Sequence, residues 1–248
     1  MTFFCRTLRR AGGDGASLAV RRNGPQPVHA ALRTAIACVG LGVATACTGS
    51  LFQSKAAPSS VYLLSADLGT RATSPAGLTI PSVAGPLAAD LAVLRPRIRK
   101  GLESDRIAVL YPDRRLDYFA AARWSGPLDQ VLQDLAIQAF HSAAHLRNVS
   151  AEASAFASGY WLELEVTDFQ AEYASAASAP TIHVGLLARV GRAGDRQVLA
   201  SFEASSRQPA VGNRLTAIVD AYERAVDGAL AEIVANTTHT LAGALEHR

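Results

Sequence analysis

Histidine, carboxylate and thiol side chains are the first places to look for chemistry in this 248-residue chain. His141 and His145 stand four apart, so on a helix both rings would reach one metal ion. The residues between them, Ser142-Ala143-Ala144, lack the glutamate of an HExxH motif, and a third ligand would have to come from His183 or a carboxylate. Two helix histidines without a metal fit the same letters, and that reading is preferred. Glu163 and Glu165 lie two apart, about 7 Å on one face of a strand, a separation some glycosidases use. The polar face of a half-buried strand gives this pattern by default. No GxSxG elbow, Walker loop or GxGxxG fingerprint occurs, and nothing promotes any serine as a nucleophile. The expectation is no enzyme, no metal and no cofactor.

Thiols are confined to Cys5, Cys38 and Cys47. No residue after Cys47 can form a disulfide or supply a thiolate, which excludes a zinc cluster or a cysteine nucleophile in the body of the chain. Charge is segregated in the same way. The chain as a whole is +3, but residues 1–46 hold six arginines (Arg6, Arg9, Arg10, Arg21, Arg22, Arg33) against Asp14, leaving 18 basic and 20 acidic residues, a net of −2, in the remainder. Such a body has no broad cationic field for phosphates, which removes nucleic acid as a partner. With 49% hydrophobic and 18% charged residues, it has the material for one sizeable core.

The run AALRTAIACVGLGVATAC at residues 30–47 places Arg33 before the apolar stretch Ala35–Val43 and the small residues Ala44-Thr45-Ala46 before Cys47. That is the grammar of a secretory signal, and it is too short for a bilayer span of about 20 residues. The cysteine directly after small residues resembles a bacterial lipobox, although Ala44 stands where leucine is favoured. On that reading the chain is cut before Cys47, which takes an N-acyl diacylglycerol anchor. Thr48, in place of an aspartate, suggests the outer membrane of a Gram-negative bacterium, facing the periplasm. An ordinary signal peptide, or a buried helix with an incidental cysteine, stays open. Residues 1–29 are long for such a leader and fit an annotation extension, with translation starting near Val28 or Leu32.

The domains are therefore a signal region at 1–46, a tether at 47–60 and one domain at 61–248. Within it the sequence predicts a short strand at Val61–Leu64, a long loop at 65–88, strands at Asp90–Ile98 and Arg106–Tyr111, and a hairpin partner from Leu116. Pro127 opens a helix whose apolar stripe runs from Leu128 to Leu146, with Asn148 ending it. Tyr160–Tyr173 alternates as a strand whose parity slips near Asp168-Phe169. A second run from Ile182 to Val190 and a returning strand from Val198 complete a meander, and a last helix starts near Arg214. The fold class is α/β: one domain, a mixed β-sheet packed with helices. Tyr118, Arg123 and Trp124 are candidate interface anchors if exposed together; packing of Tyr118 and Trp124 against the sheet is the alternative.

The order of these features resembles the ABC-type transport auxiliary lipoprotein family, the paraquat-inducible protein C-like accessories of MCE lipid-transport systems. The matching residues are Cys47, Tyr62-Leu63-Leu64, Leu91, Val93, Pro96, Gly101-Leu102, Arg106-Ile107, Leu116-Asp117-Tyr118, Ala122-Arg123-Trp124 and Pro127. Tyr160-Trp161-Leu162-Glu163-Leu164, Phe169 and Ala229-Leu230 complete the set. The resemblance spans about residues 47–235 and implies a three-layer, anticodon-binding-like domain held at the outer membrane. It further implies docking on a periplasmic MCE-domain protein and its ABC transporter, contact with membrane lipid, and assembly as a homo-oligomer. Tyr118, Arg123 and Trp124 then become partner-contact candidates. An envelope-assembly or envelope-integrity lipoprotein that binds another periplasmic component is the alternative.

Overall fold

The structure is a computed structural model of the chain; it describes residues 59–66, 68, 87–144, 146–152, 158–175 and 177–246. The leader at 1–46, Cys47, all but the end of the 47–60 tether, most of the 65–88 loop and His145 lie outside the described residues. The remainder belongs to one compact unit, Ala57–Arg248. In chain order its elements are β1 (Ser60–Tyr62), β2 (Leu87–Val93), β3 (Arg97–Ile98), β4 (Arg106–Leu110), β5 (Leu116–Trp124), α1 (Leu128–Ala143), β6 (Leu146–Ala151), β7 (Tyr160–Glu172), β8 (Thr181–Arg192), β9 (Val198–Pro209) and α2 (Leu215–Glu246).

β7 is the axis of a mixed sheet. One of its edges pairs along the whole strand with antiparallel β8, which pairs in turn with β9. The other edge is shared by three short parallel strands. Leu91–Val93 lies against Tyr160–Leu162, Arg97–Ile98 against Glu165–Val166, and Ala108–Leu110 against Gln170–Glu172. The expected single strand at Asp90–Ile98 is thus two, because Pro96 has no N–H to give the ladder. Between β3 and β4 the chain turns out and back at Gly101, whose φ of +93° suits glycine. β6 extends the sheet beyond β2, while β5 and then β1 extend it beyond β4.

Alternation decides which side chains meet the core. On β7, Leu162, Leu164 and Val166 are buried; the register then shifts between Val166 and Asp168, and Phe169 and Ala171 take over the inner face. The predicted slip in parity is this bulge. On β8, Ile182, Val184, Leu186, Ala188 and Val190 are all buried. β9 is the expected returning strand, yet of its residues only Ala204 is fully buried, as befits an edge.

α1 starts one residue after Pro127 and ends at Ala143, because Ala144 adopts an extended conformation (φ −107°, ψ 131°). The expected continuation to Asn148 is overturned: Leu146–Ala151 is β6, drawn into parallel pairing with β2 through Asp90/Asn148 and Leu91/Val149. Tertiary pairing outweighs the weak local preference of Leu146 for the helix stripe. α1 packs on β6 and β2, α2 packs on β8 and β9, and the two helices touch each other. Both therefore lie on the same face. Among the described residues the two helices and the mixed sheet make one α/β domain, the fold class expected from the sequence. No helix among the described residues is long and apolar enough to cross a membrane.

Three rings lock α2 to the sheet. Trp124 meets Tyr222 edge-on at 5.0 Å and Phe169 at 5.9 Å, and Phe169 and Tyr222 lie 5.1 Å apart. Tyr222 Oη donates to Ala108 O at 3.1 Å, tying α2 across β4. Burial raises the Tyr222 phenol well above its ordinary range, so it stays a neutral donor.

Candidate functional site

The face of the sheet opposite the helices carries most of the domain's paired charges. Its rows follow from register: Glu163 faces Arg189, Glu165 faces Leu187 and Arg97, and Gln170, His183 and Arg207 stand in line across β7, β8 and β9. Glu163 accepts from Arg97 Nη2 on one oxygen and from Arg189 Nη1 at 3.2 Å on the other. Both of its oxygens are engaged, so the Glu163/Glu165 pair offers no two free carboxylates. The spacing that resembled a glycosidase pair is the polar face of a strand between two arginines.

The helix expected to carry His141 and His145 together ends before position 145. α1 stops at Ala143, with His141 exposed in its last turn, and His145 lies outside the described residues. His183 keeps different company. Its Nδ1 lies 3.0 Å from Glu172 Oε1, 3.7 Å from Asp168 Oδ1 and 2.9 Å from Arg207 Nη2, and its Nε2 lies 3.2 Å from Ser205 Oγ. Gln170 Nε2 donates to both Asp168 and Glu172 at 3.0 Å. The ligand atoms of Asp168, Glu172 and His183 all fall within 4.8 Å of one another, a donor set of the kind that holds a divalent cation. Arg207 Nη1, however, donates to Glu172 Oε2 at 2.5 Å, and its Nη2 lies against His183 Nδ1. A cation would have to displace that guanidinium, and the geometry is that of an ion-pair network closed on itself.

Electrostatics agree with closure. Burial alone would raise Asp168 and Glu172. For Asp168 it is outweighed by hydrogen bonds from Gln170 and Thr167 and by the charges of His183 and Arg99, which hold the carboxyl below its usual range. For Glu172 the hydrogen bonds of Arg207, Gln170 and His183 do the same. Sequence reading missed this cluster because its members spread over three strands, from Asp168 to Arg207, 39 residues further on, and meet only through strand register. The slipped parity at Asp168 was the available signal, since it turns Asp168 and Glu172 toward the side of His183.

At the start of β7 an open groove of about 460 Å³ is lined by Ala92, Leu94, Tyr160, Trp161, Glu152 and Arg196 among others. The Trp161 indole lies flat over Gly191, where any Cβ would collide with the ring. Glycine here is a packing requirement.

The three interface candidates separate. Trp124 is 1% exposed and is a core residue, which corrects its assignment as a surface anchor: its indole packs edge-on against both Phe169 and Tyr222. Tyr118 is half-buried, its hydroxyl donating to Gly101 O at 2.6 Å with Arg106 over its ring at 4.0 Å. Arg123 is exposed, donating to Ser59 Oγ at 2.6 Å and lying 3.6 Å from Asp105.

The fold and its open face define a single-domain mixed α/β protein whose acidic clusters there are paired to arginines of the same domain. The model of the ABC-type transport auxiliary lipoprotein component matches residues 71–234, and the chain belongs to this family. Among solved structures it is similar to protein XCC0632 from Xanthomonas campestris, assigned to the DUF330 family, at 23% identity and a TM-score of 0.63, covering 75% of this chain and 99% of that one. A crystal structure of an uncharacterized protein matches at 14% identity and a TM-score of 0.55, over 73% and 99% of the two chains. These likenesses establish the shared fold. No curated protein matches the sequence.

Proposed function

We propose that this protein is the outer-membrane-anchored, periplasm-facing accessory lipoprotein of an MCE-type lipid-transport system, acting as a docking or assembly component without catalysis. The observation that carries this reading is the match of residues 71–234 to a family of auxiliary lipoproteins of ABC transport. The sequence adds a lipobox-like cysteine at position 47 followed by a short tether. The open face adds closed ion pairs where free acids or bases would be needed for covalent chemistry.

In this reading Cys47 carries N-acyl diacylglycerol, residues 47–60 are the tether, and residues 61–248 form the docking domain. The partners are a periplasmic MCE-domain protein and its ABC transporter, with a homo-oligomer as the working form. Tyr118 and Arg123 are the remaining partner-contact candidates. Affinity purification from detergent-solubilised membranes, with mass spectrometry of the captured proteins and of Cys47, tests it. The expected result is an acylated Cys47 and co-purifying MCE and ABC subunits; an unmodified thiol on a freely diffusing product overturns it.

A further inference from the structure

Chain polarity fixes the end of the sheet from which the chain enters β1. β1 runs parallel to β5, with Ser60 beside Ala122 and Tyr62 beside Trp124, so the chain arrives at Ser60 from the side where β5 begins. That end gathers three connections: the β4–β5 hairpin (111–115), the β7–β8 turn (173–180) and the β9–α2 loop (210–214). They meet because Leu110 pairs with both Leu116 and Glu172, Glu172 pairs with Thr181, and Thr181 pairs with Pro209.

Their side chains are built into one surface. Tyr111 stacks on Tyr173 at 5.8 Å, and the Arg115 guanidinium lies over the Tyr111 ring at 4.6 Å. Tyr173 Oη donates to Asn213 Oδ1 at 2.6 Å, which ties the first two loops to the third. These loops hold Arg114, Arg115 and Arg214 against Asp113, with Asp117 at the start of β5 also 3.9 Å from Arg115, on a domain whose balance is otherwise acidic. Val211 stands on the rim at 85% exposure, the highest among the exposed large hydrophobics, with Leu116 beside the hairpin at 38%. The first turn of α2, which begins here, contains no acid to offset the arginines. Val198, toward the other end, is also exposed; charge and chain direction distinguish the two ends, and apolarity does not.

The geometry points to this end as a membrane-contact surface. It rests on the anionic phospholipid headgroups of the bilayer that holds the anchor, its arginines pairing with phosphates and Val211 entering the interface. The reach suffices. Ala122 lies six residues along β5 from Leu116, about 20 Å, and the thirteen residues Thr48–Ser60 span up to about 45 Å. The inference takes its direction from the anchor reading of Cys47.

Because no cysteine follows Cys47, a single introduced cysteine can be labelled uniquely in the processed, acylated protein. Val211→Cys and Arg196→Cys carry an environment-sensitive dye in vesicles of phosphatidylethanolamine and phosphatidylglycerol that contain a lipid-borne quencher. The Val211 label is expected to be quenched at least about threefold more strongly than the Arg196 label, and Arg114→Glu with Arg115→Glu should remove most of that difference. Equal quenching, or stronger quenching at position 196, overturns the surface while leaving the anchor intact if the protein still floats with vesicles. If Cys47 proves unmodified, the anchor reading fails by itself. With Cys5, Cys38 and Cys47 replaced by serine, quenching of the Val211 label by added anionic vesicles then decides the surface alone, and its absence refutes it.

Discussion

The two faces of the sheet solve different problems with the same strands. The inner face buries Leu162, Leu164, Val166, Phe169 and the β8 aliphatics beneath two helices, with Trp124, Phe169 and Tyr222 as its keystone. The outer face alternates exposed arginines with carboxylates that are about a quarter exposed, and its ion pairs reach solvent-screened surroundings through the arginines. Stability therefore resides almost wholly on one side. The other side is free to change charge pattern without risk to the fold.

The sharpest way to break this comparison is Trp124→Ala. Removing a fully buried indole should cost roughly 3–5 kcal/mol and lower the melting temperature by about 10 °C or more, read by calorimetry; a loss under about 1 kcal/mol would mean that the ring trio is not the keystone. Gly191→Val comes next. The added side chain must expel the Trp161 indole, with an expected loss of about 1–3 kcal/mol and a red-shifted tryptophan emission. Arg207→Met should be far milder. It opens the Glu172/His183 network at a cost of about 1 kcal/mol or less, falling further in high salt; a loss rivalling that of Trp124→Ala would erase the contrast between the faces.

Acid sharpens the same point. Asp168 and Glu172 are held below their ordinary values when folded, so between those values and the ordinary ones near pH 4 the unfolded chain binds more protons. The network's contribution is then fully present above about pH 5 and is lost as pH falls through the depressed values. Denaturation midpoints measured from pH 7 to 3 should decline less steeply for Asp168→Asn with Glu172→Gln than for the parent chain. Glu163→Gln is expected to have the smallest effect, within about 0.5 kcal/mol at neutral pH, because Arg97 and Arg189 are exposed enough to turn to water.

What the sequence disclosed and what it withheld divide along physical lines. The meander and both helices were legible because their periods of 2 and 3.6 persist over many residues, from Tyr160 to Glu172 and from Leu215 onward. Even the bulge at Asp168 announced itself as a break in parity. β6 was hidden because six residues with apolar positions at Leu146 and Val149 fit a helix turn as well as a strand, and only the neighbouring β2 decides between them. Trp124 was ambiguous for a similar reason: an aromatic beside an arginine at a strand end reads equally as anchor or core. The Asp168–Glu172–His183–Arg207 cluster required register across three strands, which no local pattern contains.

The shared edge of β7 also orders events in time. Leu91, Arg97 and Ala108 each wait for partners, Tyr160, Glu165 and Gln170, that lie 62 to 69 residues further along the chain. Such long-range closure is slow, since chain entropy must be lost before any pairing repays it. A polypeptide emerging N-terminus first can therefore form the β4–β5 hairpin early, but it cannot close the centre of its sheet on β7 until residue 172 has cleared the ribosome.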